Sequence, residues 1–459
     1  MSMRRHSTER EQSFWINTAD LPSSPGHPFY EKMNRILKDE GFDGYVEDLC
    51  EPFYKRGGRP SIPPGVYFRM LLLGYFEGLD SERGIAWRCA DSMGLHIFLG
   101  YNVTDATPDH SSLSVIRRRL SLQVHQDVFC WVLKVLNKHG MIKGKTVGID
   151  ATTLEANAAM RSLVRRDTGQ GYEEYVKDLA RAAGDIEPSR SDMAKVDRKR
   201  PRKGSNKEWY NPHDKDARIA KMKDGRTHLA HKEEHAVDMD TGAIVGVTLQ
   251  GADQGDTTTI MTTLEEAACN TKEVTDGKAL IEEVVTDKGY HSNDVICSLS
   301  GIGLRTYISE PDRGHRDWEG KHEERDAVYA NRRRIRGKRG RRLGRKRGEL
   351  VERPFAHCFE TGRMRRTHLR GHENILKRLL VHVAGCNFGL LMRTQYGNGT
   401  PRGVFDRIYQ AIRPIIKRWL RGNTAISLNN GENNIFVFRH AASETQACAA
   451  WSVVFSTGC

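Results

Sequence analysis

The 459-residue sequence has no C-x-x-C pair, and its nine cysteines are scattered and odd in number. They read as reduced core or surface thiols, not as a disulfide framework or a zinc site. No apolar run approaches the roughly 20 residues needed to span a bilayer. The opening stretch, MSMRRHSTEREQSFW, lacks the apolar segment of a signal peptide. These absences predict a cytoplasmic chain with no membrane partner. Acidic residues are in deficit: 59 Asp and Glu against 72 Lys and Arg leave a net charge of +13. That balance favours a polyanionic partner such as nucleic acid. It counts against a neutral sugar substrate, although glycosidases also use carboxylate pairs. The length allows two or three domains and a sizeable core.

Lys145 to Asn157, KTVGIDATTLEAN, organises what is present. It reads as a short strand, Thr146 to Ile149, that closes on Asp150. A lone carboxylate there is costly to bury unless a cation or donors meet it, and a plain turn or cap is the simpler reading. A second stretch has the same design: Glu283 to Thr286 closes on Asp287, with Gly289 two residues later. A third acid, Glu352, stands in LVERPF. Two strand-end Asp residues and a Glu from a later helix can together hold divalent ions. Hard oxygen ligands suit Mg²⁺ or Mn²⁺, and two such ions clamp an in-line phosphoryl displacement.

Upstream, Pro63-Pro64 starts an apolar helix, Asp80-Ser81 caps a second, and Thr107-Pro108-Asp109 announces a third. In the third, Leu113, Ile116 and Leu120 share one face. Ser112, Arg118 and Arg119 lie mostly off that stripe, where hydroxyl and guanidinium groups suit DNA contacts. A helix-turn-helix is the functional reading and an ordinary bundle with a solvated basic face the plain one. Strands near His231–Asp238 and Ile244–Leu249 form a hairpin through Asp240-Thr241-Gly242. A helix at Thr257–Asn270 and a further strand follow, the order of a ribonuclease H-like sheet. Between Asn157 and His228 lies a polar insertion, in which Trp209 and Tyr210 sit among charges and suit base or sugar stacking. The run NRRRIRGKRGRRLGRKRG, from Asn331 to Gly348, is the most biased stretch. Its glycines and like charges argue against a stable free helix. Arg332, Arg333, Arg334, Arg341 and Arg342 suit phosphate neutralisation, and Lys288 and His291 beside Asp287 could do the same. A solvated charged segment is the plain alternative.

The blocks IDATTLEAN, HAVDMDTGAIVGVTLQGADQGDT, VVTDKGYHS and VERPF, in this order, resemble the core of bacterial insertion-sequence transposases of the DDE type. Ser61 to Leu120 resembles the helical N-terminal domain of those enzymes, and the likeness runs from about Phe53 to Arg393. It implies an α/β fold: a ribonuclease H-like mixed sheet with flanking helices, plus an all-α DNA-binding domain. The expected layout is an N-terminal arm at 1–60, a helical domain at 61–140, a catalytic domain at 141–395 with insertions at 158–228 and 312–348, and a tail at 396–459. The resemblance implies Asp150, Asp287 and Glu352 as catalytic metal ligands, with Asp150 shared by two Mg²⁺ or Mn²⁺ ions. It implies DNA partners, both element ends and target, a homo-oligomer on DNA, and association with the bacterial nucleoid. Relatives often carry a basic residue one to two turns after the Glu. Position 359 is Phe here, which leaves Arg363 and Arg365 as candidates. A ribonuclease H-like nuclease without strand transfer and a non-catalytic DNA-binding descendant remain the alternatives.

Overall fold

The structure is a computed structural model that describes residues 26–404, except 56, 58–60, 103, 185–186, 201–203, 223–224, 313 and 315, together with 412–414. The first half of the expected arm and nearly all of the expected tail lie outside the described residues.

The chain opens with helices α1 (Pro28–Asp39), α2 (Phe42–Cys50), α3 (Pro64–Glu77), α4 (Glu82–Ala90), α5 (Met93–Leu99), α6 (His110–Arg119) and α7 (Leu122–Lys138). Part of the segment read as an arm is therefore helical. Phe29, Met33 and Leu37 of α1 and Phe42 and Val46 of α2 are buried against the other helices. Side-chain oxygens of Ser81, Ser92, Asp109 and Ser121 accept from the first turns of α4, α5, α6 and α7. Each cap satisfies an amide the helix itself cannot.

Next come β1 (Thr146–Glu155), β2 (Val164–Arg165), α8 (Tyr172–Ala182), α9 (Arg190–Lys199), β3 (Trp209–Tyr210), β4 (Arg218–Lys221), β5 (Thr227–Asp238) and β6 (Ile244–Gly251). The chain continues through α10 (Asp256–Val274), β7 (Glu283–Thr286), α11 (Asn293–Gly301), β8 (Arg305–Ile308), α12 (His322–Arg336), α13 (Lys338–Leu350), α14 (Glu352–Ala356) and α15 (His372–Tyr396). The main sheet runs β4-β5-β1-β7-β8, with β6 also on β5. β1, β5 and β6 are antiparallel, whereas β7 and β8 run parallel to β1. The fold is thus mixed α/β, a mixed sheet flanked by helices, and is consistent with the ribonuclease H-like arrangement.

The helical part and the sheet share one core. α15 packs along α7, α3 and β6, and the described residues up to Val404 belong to one compact unit. By length and composition the segment His372–Val404 is apolar enough to cross a membrane, contrary to the reading of the bare sequence. Yet 83% of its apolar window is buried inside the fold, which makes it the central core helix.

Four further expectations change. β1 does not stop at Asp150 but continues to Glu155, because Ala151 to Glu155 stay paired with β5. The insertion at 158–228 has its own small core around Leu163, Ile219 and Leu229, and β4 joins the main sheet. Trp209 is only 1% exposed and lies under Tyr172 and Tyr175, so it is a packing residue and not a stacking platform. The arginine-rich run is helical and breaks only at Gly337, between α12 and α13. Packing overrides propensity there: Leu343 is buried, and a Cβ at Gly340 would lie 2.6 Å from Ile335 Cα. The glycine lets the two helices close up.

Two buried asparagines hold strands at the sheet margins. Asn331 of α12 accepts from Ile308 N (3.0 Å) and donates to Ile308 O (2.9 Å). Asn387 of α15 does the same to Ile244 (2.9 and 2.8 Å). Each side chain satisfies backbone groups that an edge strand would leave open. Asn331→Ala is expected to lower unfolding stability by about 1–3 kcal/mol through two unsatisfied buried groups. Urea denaturation measures this, and an unchanged midpoint would deny Asn331 its role at β8.

Candidate active site

Alternation along β1 puts Gly148, Asp150 and Thr152 on one face. Continuing the parallel register Gly148↔Val285 by two residues brings Asp150 level with Asp287. Both acids thus stand where β7 parts from β1, at the C-terminal end of the parallel pair. Such crevices are where ligands bind in open α/β sheets. Asp287 Oδ1 accepts from Gly289 N at 2.8 Å, which fixes the carboxylate in its turn.

Gly148 decides how near the third acid comes. A Cβ there would lie 2.5 Å from Val351 Cγ2 and from Met239 Sδ. The missing side chain lets Val351, fully buried, seat against β1. Glu352 follows directly at the start of α14, so its carboxylate is delivered beside Asp150. Pro354, which complicates one continuous helix here, falls inside this short α14.

Arg347 of α13 links the acids. Its Nη1 lies 3.1 Å from Asp150 Oδ2 and its Nη2 3.6 Å from Glu352 Oε1. Burial pushes the Asp150 carboxyl above its usual range; the Ala151 amide and Arg347 oppose this, and the Asp287 and Glu352 charges add to it. Arg347 thus compensates Asp150 and Glu352 directly, while the Asp287 and Glu352 charges both act on Asp150. Glu349 instead pairs with Arg353 at 3.2 Å, and Glu360 pairs with Arg365.

Beneath Asp287 lies a buried polar network that the sequence reading did not single out. Lys232 contacts Asp256 (2.6 Å) and donates to Thr259 (2.8 Å). Glu234 accepts from Tyr290 (2.6 Å), Thr259 (3.0 Å) and Thr263. Burial and Glu234 push the Tyr290 phenol far up, so it stays a donor. The signal was present as His231-Lys232-Glu233-Glu234-His235, five polar residues in a row in the middle of a strand.

The expected phosphate-contacting residues divide. Arg333, Arg341, Arg342 and Lys288 are exposed. Arg332 is spoken for by Glu310 (2.7 and 2.8 Å), and Arg334 by Thr306 (2.9 Å). His291 is fully buried and so removed from a surface role. Arg363 is exposed but packs by Gly78, just past α3, and Arg365 faces Glu360 and the Phe359 ring. On α6, Arg118 is exposed and Ser112 half-buried. Arg119 donates to Ser61 (3.2 Å) and lies 4.7 Å over Tyr54. The seven described cysteines are free.

Fold and acids together define a mixed α/β protein with a carboxylate cluster at the end of its parallel strands. Residues 19–119, most of the N-terminal helices, match a family model described as a transposase domain (DUF772), and this similarity supports a transposase role. No curated protein and no solved structure matches the chain.

Proposed function

We propose that this protein is a DDE-type transposase that binds insertion-sequence ends, cleaves DNA and joins 3′-hydroxyl ends to target DNA. The observation that carries the reading is the nearness of Asp287 and Glu352 to Asp150, with Arg347 between Asp150 and Glu352. The residues fit divalent ions. All three donors are hard carboxylates, and a guanidinium already bridges two of them, so a positive charge suits that space. Mg²⁺ or Mn²⁺ held there would supply charge neutralisation at the scissile phosphate and activation of the attacking oxygen.

The chain's own residues do the rest. Asp150 sits on the central strand, where pairing with β5 opposite His235 limits its movement. Gly148 sets the approach of Glu352. Arg347 compensates the acids and presents a planar fork that suits a phosphate equally well. Exposed arginines of α13 lead directly to this point and would guide the DNA backbone. Two element ends must be paired for transposition, so the working form is a homo-oligomer on DNA. The nuclease alternative predicts nicking without joining. Purified protein with end DNA, target DNA and Mg²⁺ separates the two, because only a transposase forms joined products.

The third acid has its own test. Glu352→Gln should remove Mg²⁺-dependent nicking, while Glu349→Gln and Glu360→Gln only weaken it, since those carboxylates face Arg353 and Arg365. Side-by-side nicking assays decide; loss in the Glu349 variant with retention in the Glu352 variant would overturn the assignment.

A further inference from the structure

Glu233 and Glu234 are neighbours on β5, both fully buried, and their surroundings differ sharply. Glu234, on one face of the sheet, is held by three hydroxyl donors. Glu233, on the other face, has no hydrogen bond to either carboxylate oxygen, and both ring nitrogens of His235 also lack one. His235 Nε2 and Glu233 Oε1 lie 2.6 Å apart without hydrogen-bond alignment. Buried polar groups are seldom left so, and an unmet carboxylate is among the costliest cases.

Cys358 completes the cluster. It is fully buried and sits on one turn of π-helix, His357–Thr361, which follows α14. Such turns are rare and re-aim side chains, often at functional sites. Donor atoms of Glu233, His235 and Cys358 all lie within 4.8 Å of one another. The His235 ring is fixed from behind by Phe355, stacked at 4.3 Å and 14°.

We propose that Glu233, His235 and Cys358 form a structural site for a borderline transition-metal dication, Zn²⁺ by its donor chemistry. One sulfur, one imidazole nitrogen and a carboxylate are a zinc set, and both Glu233 oxygens together would complete four donors. Binding displaces the Cys358 thiol proton, because the thiolate is the ligand.

The site has a consequence for the three-acid cluster. His235 is the register partner of Asp150, and Cys358 lies on the helical turn that follows Glu352. One ion would therefore staple the helix bearing the third acid to the strand beside the first. It is separate in chemistry from the all-oxygen cluster and does not depend on any DNA reaction.

The test is metal content. Full-length protein expressed with added Zn²⁺ and dialysed against metal-free buffer is expected to retain one Zn²⁺ per chain by plasma mass spectrometry. Asp287→Asn should retain it as well, whereas Cys358→Ser and Glu233→Gln should lose most of it. Replacing Zn²⁺ by Co²⁺ in the wild type should give a near-ultraviolet thiolate-to-metal absorption band, absent in Cys358→Ser. Wild-type protein that holds no stoichiometric Zn²⁺ and gives no Co²⁺–thiolate band would overturn the proposal, whatever the variants do. So would full retention in folded Cys358→Ser.

Discussion

Asp150→Ala and Asp287→Ala are each expected to abolish Mg²⁺-dependent nicking of end DNA and to leave binding of that DNA largely intact. The acids stand level across the β1–β7 register, and neither belongs to an exposed basic surface. Asp150 is the more telling of the two. Burial raises its carboxyl above the ordinary range, so its ionised form is disfavoured by folding. For a carboxyl raised in the folded state, that cost is absent below the unfolded pKa and sets in as pH rises through it. Asp150→Asn should therefore not lower the melting temperature at neutral pH, which separates lost chemistry from lost structure. Nicking and thermal melting on one preparation check both halves. Near-normal cleavage by either Ala variant would remove that residue from the proposed metal site.

DNA affinity is expected to fall steeply between low and moderate salt, with Arg341, Arg342 and Arg345 setting much of the slope. All three are exposed on α13, ahead of Glu352. Each arginine that meets a phosphate of B-form DNA contributes about −0.9 to the slope of log affinity against log salt. Replacing all three by Ala should flatten the slope accordingly while the protein stays folded. Deleting the whole run is a poorer experiment. It removes Asn331, Arg334 and Arg339, which hold β8 and Glu283, and so breaks the sheet. Arg334→Ala should instead lower stability with little change of slope, because its guanidinium bonds to Thr306. Titration of binding at several salt concentrations decides, and an unchanged slope in the triple variant would make α13 a bystander.

The three acids could be proposed because each sits in a short block that resembles a known family, and the hairpin, the helix after it and β7 were read in their order along the chain. β7 and the β5–β6 hairpin came out close to their sequence-derived bounds. What misled were residues whose partners are remote. Trp209 looked exposed amid charges, but tyrosines from α8 cover it. The arginine run looked helix-averse because propensity counts its glycines and charges locally. Glu310, Thr306 and Glu283, distant in sequence, neutralise or anchor those arginines instead.

By itself the sequence determined the mixed α/β class, the basic character and the capped N-terminal helices. These depend on periodicity, cap chemistry and composition, all local properties. Only the tertiary structure decided that Asp150 lies mid-strand, that Arg347 bridges it to Glu352, and that Gly148 makes room for Val351. It alone brought Glu233, His235 and Cys358 together from β5 and a turn more than a hundred positions later. Local sequence specifies what a residue can do; close packing of distant segments specifies what it meets.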